Sequence, residues 1–410
     1  MKRKVRVLIK LVREYGFFNT LIYAIFKVIP DVTNLTRARL NLHQDVYDYK
    51  TWVNYGGLSR PNEPINNECK TFIWFVPDWT NVWGGGHYTL FRFANHFSKF
   101  NTRNIIYIYD NSRHVSPIYL ECELRNAIEN CNIEVITDPK LLPECDAAIA
   151  TTWQSAYAVR AFNFARQKFY FMQDYESHFY AHGTASMQAN ASYTFGFIGI
   201  TGGGWLKKCY ESHGGKAKNY LFAADKKIFY PKYLDDPVRK YVKKLFFYGR
   251  PSTERRCYDL GMVVLDRISK LFPDVEIVIA GLDLKSVPSF KATLLGNMTL
   301  AKTGDLYRTC DIGMAFSGTN LSYLPVELMA SGVPVISNNG PHVEWHCQHG
   351  VNSYLADPTP SAMVDAFTEL YSNRDLRQKL MEGGLKTMKS INWENQMTEI
   401  FEYVNDNLTD

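Results

Sequence analysis

The chain contains two series of short apolar runs that alternate with stretches of helical periodicity. The first series lies at residues 71–77, 104–110, 133–138, 146–152, 168–174, 195–201 and 219–225. The second lies at 245–251, 275–282, 298–303, 311–317, 334–337 and 353–358. Runs that are apolar throughout are typical of parallel strands covered on both faces, and intervening helices indicate right-handed βαβ units. The pattern therefore predicts two doubly wound α/β sheets.

A chain of 410 residues is too long for one ordinary core, which also favours two domains. We predict a first Rossmann-like domain over 66–235 and a second over 240–392, with a final helix at 393–410 that returns to the first domain. Unusual polar and glycine-rich stretches follow several predicted strands in both halves. Because ligands bind beyond the carboxyl ends of parallel strands, the two domains should face one another across a cleft that carries the site.

Residues 1–65 precede the first predicted strand and form a predicted helical extension that is basic and amphipathic. Residues 1–39 contain nine Lys or Arg and two acidic residues, a local charge of +7 on a chain whose total is +5. Such a helix can lie in an anionic membrane interface, which we assign to residues 1–30, although packing on the protein's own core explains the pattern equally well. The longest uncharged run, 15–26, is too short to span a bilayer, and no signal-peptide cleavage pattern follows.

The composition excludes several classes of protein. With 46% hydrophobic and 21% charged residues the chain is globular, and outside the N-terminal segment it has no basic surface that predicts nucleic-acid binding. The eight cysteines form no CxxC pair, so a reduced, cytoplasmic setting is the simplest interpretation. Neither a P-loop nor a GxGxxG fingerprint is present, which argues against an ATPase or a dinucleotide-dependent enzyme.

Three stretches at predicted strand ends could hold an anionic ligand. Gly85 and Gly86, in "WGGGH", lead into a helix, and glycines let a ligand approach the backbone closely. Arg250 and Arg255, in "GRPSTERR", could neutralise a diphosphate through forked hydrogen bonds, although solvated surface arginines are commoner. Lys302 is a further candidate cation for the same group.

The stretch "SYLPVELMASGVPVIS" reads as a helix that begins at Leu324-Pro325, ends at Gly332 and runs directly into a buried strand. Glu327 is then expected in the first turn. It is either an acid placed favourably near the positive helix end or a ligand-binding group. If the amides of Tyr323 and Leu324 bind a diphosphate, the Glu327 carboxylate can accept a hydrogen bond from a sugar hydroxyl.

The stretch "QDYESH" lies at the end of the predicted strand at 168–174 and is a further candidate segment of the site. We select Gln173, Asp174, Tyr175 and Glu176, of which Asp174 and Glu176 are the best carboxylates to orient or deprotonate an acceptor hydroxyl. A structural role for these polar residues is nearly as plausible. The histidines of "PHVEWHCQH" lack the HExxH spacing, so we assign no metal site.

The second half resembles the retaining glycosyltransferases of family 4, which have the two-domain GT-B fold. The resemblance lies in "FYGRPSTERR", "DLYRTCDIGMAFS", "LPVELMASGVPVIS" and "GVNSYLADP". Together with "YFMQDYESHFY", "FGFIGITGGGWL" and "WGGGHYTLFRFANHF", the chain resembles more narrowly the WsaF-type rhamnosyltransferases of bacterial surface glycans, over about residues 70–400.

This resemblance implies roles for particular residues. Glu327 would bind the ribose of the donor nucleotide, while Arg250, Arg255 and the amides of Tyr323 and Leu324 would hold the diphosphate. One departure concerns the second glutamate that family 4 carries eight positions earlier, because this chain has Thr319 there. That position contacts the transferred sugar in the family, so Thr319 is a candidate sugar-binding residue whose side chain does not identify the sugar.

The resulting functional hypothesis is a retaining transferase that moves L-rhamnose from dTDP-β-L-rhamnose, or another nucleotide sugar, to a growing surface glycan such as an S-layer glycan. Arginines and a helix end would replace a divalent metal, with Arg250 stabilising the leaving diphosphate. The acceptor would be a glycan or lipid-linked glycan at the inner face of the cell membrane, and a homodimer is compatible with the sequence. A sugar-nucleotide epimerase of the same fold and a non-catalytic nucleotide-binding subunit at the membrane surface remain alternatives.

Overall fold

The structure is a computed structural model. It describes residues 61, 63–65, 68–79, 81–110, 116–232, 238–281 and 288–408. The predicted amphipathic segment, 1–30, lies outside the described residues, as does nearly all of the extension over 1–65. Within the described ranges, none of the helices is long and apolar enough to cross a membrane.

The first domain is built on a parallel sheet of seven strands in the spatial order β3-β2-β1-β4-β5-β6-β7. The strands are β1 (Lys70–Pro77), β2 (Thr102–Asp110), β3 (Ile133–Ile136), β4 (Cys145–Ala150), β5 (Ala165–Met172), β6 (Ile198–Gly202) and β7 (Lys216–Tyr220). β1 is central, and its Phe72 lies beside Asn104 of β2 and Ala147 of β4. The connecting helices are α1 (Gly85–Phe97), α2 (Pro117–Ala127), α3 (Trp153–Ala161), α4 (Thr184–Ser192) and α5 (Gly204–Ser212).

The second domain is built on a parallel sheet of six strands in the order β10-β9-β8-β11-β12-β13. The strands are β8 (Lys244–Tyr248), β9 (Glu276–Ala280), β10 (Thr293–Gly296), β11 (Ile312–Met314), β12 (Val335–Asn338) and β13 (Tyr354–Ala356). The helices are α6 (Tyr258–Leu271), α7 (Leu300–Tyr307), α8 (Tyr323–Ala330), α9 (Pro341–Glu344), α10 (Pro360–Ser372), α11 (Arg374–Ser390) and α12 (Trp393–Asp406). The prediction of two doubly wound sheets is confirmed.

Three local predictions were wrong. The run at 298–303 is not a strand, because Thr299 caps α7 by accepting a hydrogen bond from the backbone N–H of Lys302. The strand expected at 219–225 ends at Tyr220, and the apolar residues after it are buried beyond the sheet. α8 begins at Tyr323, one residue before Leu324, so Glu327 is the fifth residue of the helix and lies just beyond its first turn.

The last helix, α12, packs on the first domain although the preceding helix belongs to the second. The ring of Phe401 stacks on Phe100 at a centroid distance of 4.1 Å and meets Phe97 at 5.2 Å. The Thr398 hydroxyl lies 2.9 Å from Nε2 of the buried His96. Asn392 begins the helix by accepting a hydrogen bond from the N–H of Asn395. The chain thus passes between the domains twice.

Candidate functional site

The two sheets meet where loops at their carboxyl ends exchange hydrogen bonds, and Asn320 is at the centre of this contact. Asn320 follows β11 and is fully buried. Its side-chain amide donates to the carbonyls of Gln173 and Gly202 in the first domain, at 2.9 and 2.7 Å. The amide oxygen accepts from Nε1 of Trp345 at 3.0 Å. Every hydrogen-bonding group of this buried amide is therefore used, as burial requires.

Asp174 forms the charged part of the same contact. The side chain follows β5, and the residue is only 9% exposed. Oδ1 accepts hydrogen bonds from the backbone N–H groups of Tyr175 and Asn320, at 2.9 and 2.8 Å. Oδ2 lies 3.3 Å from Nε of Arg255 and 4.0 Å from Nη2 of Arg256, both in the second domain. The carboxylate therefore bridges the domains.

The two arginines are held in place by different contacts. The Arg255 guanidinium lies over the ring of Phe179 at 4.0 Å, a cation–π contact with the first domain. Arg256 Nη1 donates to the Ser317 hydroxyl at 2.7 Å and to the carbonyl of Asn320 at 3.3 Å. Burial lowers the pKa of Arg256 to about 10, and attraction to Asp174 opposes this shift. Both cations are thus fixed at the carboxyl end of the second sheet.

Glu327 lies in the middle of α8, at the edge of the cleft. Burial raises the pKa of its carboxyl to about 8, against attraction to Arg92 and a hydrogen bond from Tyr307, which both lower it. Arg92 belongs to α1 of the first domain and also forms a 2.9 Å ion pair with Asp225. Glu327 is therefore a desolvated carboxyl that a cation of the opposite domain approaches, and perturbed groups of this kind cluster at functional sites.

The glycine loop, formed by Gly84 and the first two residues of α1, Gly85 and Gly86, lies against the start of α8. A side chain at Gly85 would begin 3.5 Å from the ring of Tyr323, which is ordinary contact distance. The carbonyl of Gly86 accepts a 2.7 Å hydrogen bond from Nε2 of Gln173, whose Oε1 accepts from the Tyr323 hydroxyl at 3.4 Å. The Tyr323 ring packs on Phe222 at a centroid distance of 4.4 Å. Gln173 thus links the glycine loop to the first residue of α8.

Glu176 is a second desolvated carboxyl, on the first domain. Oε2 accepts a 2.5 Å hydrogen bond from the backbone N–H of Trp153, the first residue of α3. Burial raises the pKa of Glu176 to about 8, although the bond from Trp153 lowers it. The nearby charge of Asp174 raises this pKa further, and Arg255 lowers it. The carboxyl is therefore near enough to Asp174 and Arg255 for their charges to affect it.

The remaining residues selected from the sequence are Tyr175, Thr319, Leu324, Arg250 and Lys302. Tyr175 donates its hydroxyl to Oδ1 of Asn190 at 2.9 Å, and Thr319 is 3% exposed beside Asn320. Leu324 is half-buried in the first turn of α8. Arg250 is exposed at the carboxyl end of β8, and Lys302 is exposed on α7, the helix that also carries Tyr307. Among the residues selected from the sequence, Asp174 and Arg255 are thus in direct contact, and Asn320 joins Gln173 to Asp174.

The three histidines after β12 have separate environments. Nε2 of His342 lies 2.8 Å from the Ser317 carbonyl, and Nδ1 of His349 accepts from the N–H of Leu355 at 3.1 Å. His346 is buried, and burial lowers its pKa to about 4. Across the described residues, no three His, Cys, Asp or Glu side chains are grouped to hold a metal ion.

Sequence reasoning missed three residues of the site: Arg92, Asn320 and Arg256. Arg256 adjoins a residue that was selected, and Asn320 lies in the polar loop after a buried strand, so both had a local signal. Arg92 lies in an aromatic-rich helix, where a single charged residue was the only indication. Its approach to Glu327 depends on how the two domains pack.

The arrangement can bind an anion with an attached polyhydroxyl group. Arg255 and Arg256 supply fixed positive charge, and the N-terminus of α8 presents backbone N–H groups near the glycine loop. Glu327, four residues into α8, can hydrogen bond a hydroxyl. A diphosphate joined to a ribose has both kinds of group that these features can bind.

Comparisons with known proteins show what this chain is similar to. Residues 243–368 match the family model of the WsaF C-terminal domain. The O-antigen biosynthesis protein RfbC of Myxococcus xanthus is 35% identical over 345 residues, covering 81% of this chain. The chain spans only 27% of the length of that relative. The resemblance to WsaF-type proteins is confirmed.

Solved structures show the fold. The structure resembles sucrose-phosphate synthase from Thermosynechococcus elongatus with a TM-score of 0.65 and 12% identity, covering 83% of this chain and 99% of that one. It resembles HepE of Anabaena in complex with UDP-glucose with a TM-score of 0.61 and 14% identity, again covering 83% and 99%. The fold is GT-B.

Proposed function

We propose that this chain, whose residues 243–368 match the WsaF C-terminal domain family, is a nucleotide-sugar-dependent glycosyltransferase of bacterial surface-glycan assembly. The observation that carries the proposal is the position of Glu327. This desolvated carboxyl lies on a helix whose N-terminus faces the glycine loop of the other domain. A nucleotide sugar has both groups that such a helix can bind, a diphosphate and a ribose.

In the proposed complex the diphosphate lies between the glycine loop and the N-terminus of α8. The amides of Tyr323 and Leu324 would donate to it, and Arg250 and Arg255 would neutralise its charge. Negative charge on the leaving diphosphate grows as the glycosidic bond breaks, so these cations would stabilise the transition state more than the ground state. Fixed cations of this kind make a divalent metal unnecessary for departure of the leaving group.

The ribose would then reach Glu327. A hydrogen bond between a sugar hydroxyl and this carboxyl is worth about 1.5–3 kcal/mol when the carboxyl is ionised. A deoxyribose donor such as dTDP-rhamnose has one hydroxyl fewer for this contact. We nevertheless propose dTDP-β-L-rhamnose as the donor, and retention of configuration, because the chain resembles WsaF-type rhamnosyltransferases in both halves. Thr319 would face the transferred sugar.

The acceptor would enter from the first domain, along the segment that follows β5. Gln173, Tyr175 and Glu176 are proposed to line its path, with Asp174 or Glu176 orienting the acceptor hydroxyl. A glycan or lipid-linked glycan is proposed because the Myxococcus relative is named for O-antigen biosynthesis. Association of residues 1–30 with the inner face of the cell membrane, and a homodimeric state, belong to the same proposal.

The test is transfer itself. The purified chain is incubated with dTDP-β-L-rhamnose, and separately with UDP-glucose, with and without a short rhamno-oligosaccharide on an apolar aglycone. We expect nucleoside diphosphate release that depends on the acceptor, and a product whose anomeric configuration by NMR matches the donor. Release without acceptor, or a changed sugar with the nucleotide still attached, would indicate hydrolysis or epimerisation instead.

Two variants, one in the site and one outside it, test whether the activity depends on this site. Glu327→Ala should raise the donor KM at least about tenfold, the equivalent of one lost hydrogen bond to a charged group. Glu402→Ala removes an exposed glutamate on α12 and should leave the donor KM unchanged. If the two variants have the same donor KM, Glu327 does not bind the donor and the proposed site is wrong.

A further inference from the structure

We propose that the Asp174 carboxylate and the diphosphate of the donor compete for one anion site, formed by Arg255 and Arg256. Asp174 then acts as a latch between the domains, and the donor opens it. This inference rests on the proposed function, because it assigns the diphosphate to these arginines. It adds a role for Asp174 that differs from orienting the acceptor, and it adds Arg256 to the anion site.

Only one contact of the Asp174 carboxylate comes from its own domain. Oδ1 accepts from the backbone N–H of Tyr175, its neighbour, and from the N–H of Asn320 in the second domain. Oδ2 faces Arg255 at 3.3 Å and Arg256 at 4.0 Å, and both belong to the second domain. Three of the four contacts therefore cross between the domains, so that losing the arginine contacts weakens their closure.

The arginine side of the contact is incompletely satisfied. Nε of Arg255 is buried and has no hydrogen-bond partner among the described residues, even though the carboxylate lies 3.3 Å away. Charge-assisted hydrogen bonds of this type are normally about 2.7–2.9 Å long. The buried hydroxyl of the neighbouring Thr319 likewise lacks a partner within the described part of the chain. A ligand with several anionic oxygens, such as a diphosphate, can supply acceptors that one carboxylate oxygen cannot.

Asn320 connects the latch to the rest of the interface. Its amide joins the segments after β5 and β6 to Trp345 of the second domain, and its backbone N–H holds Asp174. Without a donor, Asp174 therefore occupies the anion site of Arg255 and Arg256, and the two domains remain closed. The apparent affinity for the donor is reduced by the fraction of molecules in which the latch is closed.

The test compares nucleoside diphosphate affinity in the full chain and in Asp174→Asn. Asparagine keeps the size of the side chain and an oxygen that can accept from the backbone, but it removes the charge that the arginines bind. Isothermal titration with dTDP, UDP and inorganic pyrophosphate should give a Kd for the variant about tenfold lower than for the wild type, if the closed latch holds about 90% of molecules. An equal or higher Kd for the variant overturns the proposal.

Asp174→Asn could also bind the diphosphate more tightly because it removes a carboxylate that repels it. The variant Glu176→Gln controls for this electrostatic effect. Glu176 lies close enough to interact electrostatically with Asp174 and Arg255, but its carboxylate accepts a hydrogen bond from Trp153 of its own domain. The titrations are therefore repeated at pH about 9, where Glu176, with a pKa of about 8, is largely ionised. Tighter binding by both variants to the same extent indicates repulsion and overturns the latch.

Closure provides a second readout that needs no catalysis. Small-angle X-ray scattering of the ligand-free proteins should give a larger radius of gyration for Asp174→Asn than for the wild type and Glu176→Gln. Saturating dTDP should remove the difference. If transfer is detected but the affinities and radii of wild type and variant agree, the latch alone is wrong. If the latch behaves as expected but no sugar is transferred, the proposed function is wrong.

Discussion

Replacing Glu327 with glutamine should stabilise the ligand-free protein at alkaline pH. Burial raises the pKa of this carboxyl from 4.5 to about 8 in the folded protein. Between these values the folded state holds a proton that the unfolded state has released. The free energy of unfolding therefore falls as pH rises from about 4.5 to about 8, and the loss is complete above the folded pKa. Glutamine has no proton to lose and escapes this decrease.

The magnitude follows from the size of the shift. Each pKa unit corresponds to about 1.4 kcal/mol, so the full shift sets a ceiling of about 5 kcal/mol. Glu327 is partly open to solvent at the cleft, and water reduces the cost of ionising it. We therefore expect the variant to gain about 1–2 kcal/mol above pH 8, or about 1–3 °C in Tm for a chain of this size.

Differential scanning fluorimetry from pH 5 to pH 9 measures this effect. The difference in Tm between Glu327→Gln and wild type should be near zero at pH 5 and should increase with pH. Glu402→Gln, on the exposed face of α12, is the matched control and should show no such trend. A difference that is constant with pH, or that favours the wild type at pH 9, would refute the argument that Glu327 is a desolvated acid.

Four further predictions concern charge and packing. Arg250→Ala should lower kcat by about 10²–10³ in a radiolabelled transfer assay, because in the proposed complex its charge stabilises the leaving diphosphate. An unchanged kcat would exclude that role. EDTA should leave turnover intact, and inhibition that added Mg²⁺ reverses would contradict the metal-free mechanism. Removal of residues 1–30 should abolish sedimentation with anionic vesicles but preserve turnover of a short acceptor. The intact chain should bind the vesicles less at high salt, and failure of the intact chain to bind them would disprove the membrane role. Gly203→Ala should lower Tm more than Gly196→Ala. Both glycines have positive φ, but only a side chain at Gly203 would clash, at 2.5 Å from the ring of Trp345. Equal decreases in Tm would mean that backbone strain alone determines the loss of stability.

Much of the fold could be predicted because each element carries its own signal. The run Phe72–Val76 is fully buried in the middle of the first sheet, as expected of a continuous apolar run in a parallel strand. Where the prediction was wrong, signals for a strand and for a helix occurred within the same few residues. Residues 298–303 are apolar enough for a strand, but the hydroxyl of Thr299 caps a helix there. A short apolar run does not distinguish these outcomes.

The site was less predictable, because its central contacts depend on the packing of the two domains. The sequence placed Asp174 and Arg255 at strand ends in separate sheets, but nothing local indicates that they form an ion pair 81 positions apart in the chain. The same holds for Arg92 and Glu327, which only the packing of α1 near α8 brings together. A periodicity argument places residues on faces and edges. It contains no information on which edge of one domain meets which edge of the other.

The two desolvated carboxyls show how stability and function oppose one another in this cleft. Glu176 and Glu327 come from opposite domains, and burial raises the pKa of each to about 8. Each therefore costs stability at neutral and alkaline pH, and a well-packed apolar residue would remove that cost. Neither carboxyl has a short ion pair that would account for its position structurally, as far as the described residues show. A ligand whose hydroxyls replace lost water would account for both, so the donor and acceptor sides of the cleft should each lose affinity when the corresponding carboxyl is replaced, while the protein itself becomes more stable.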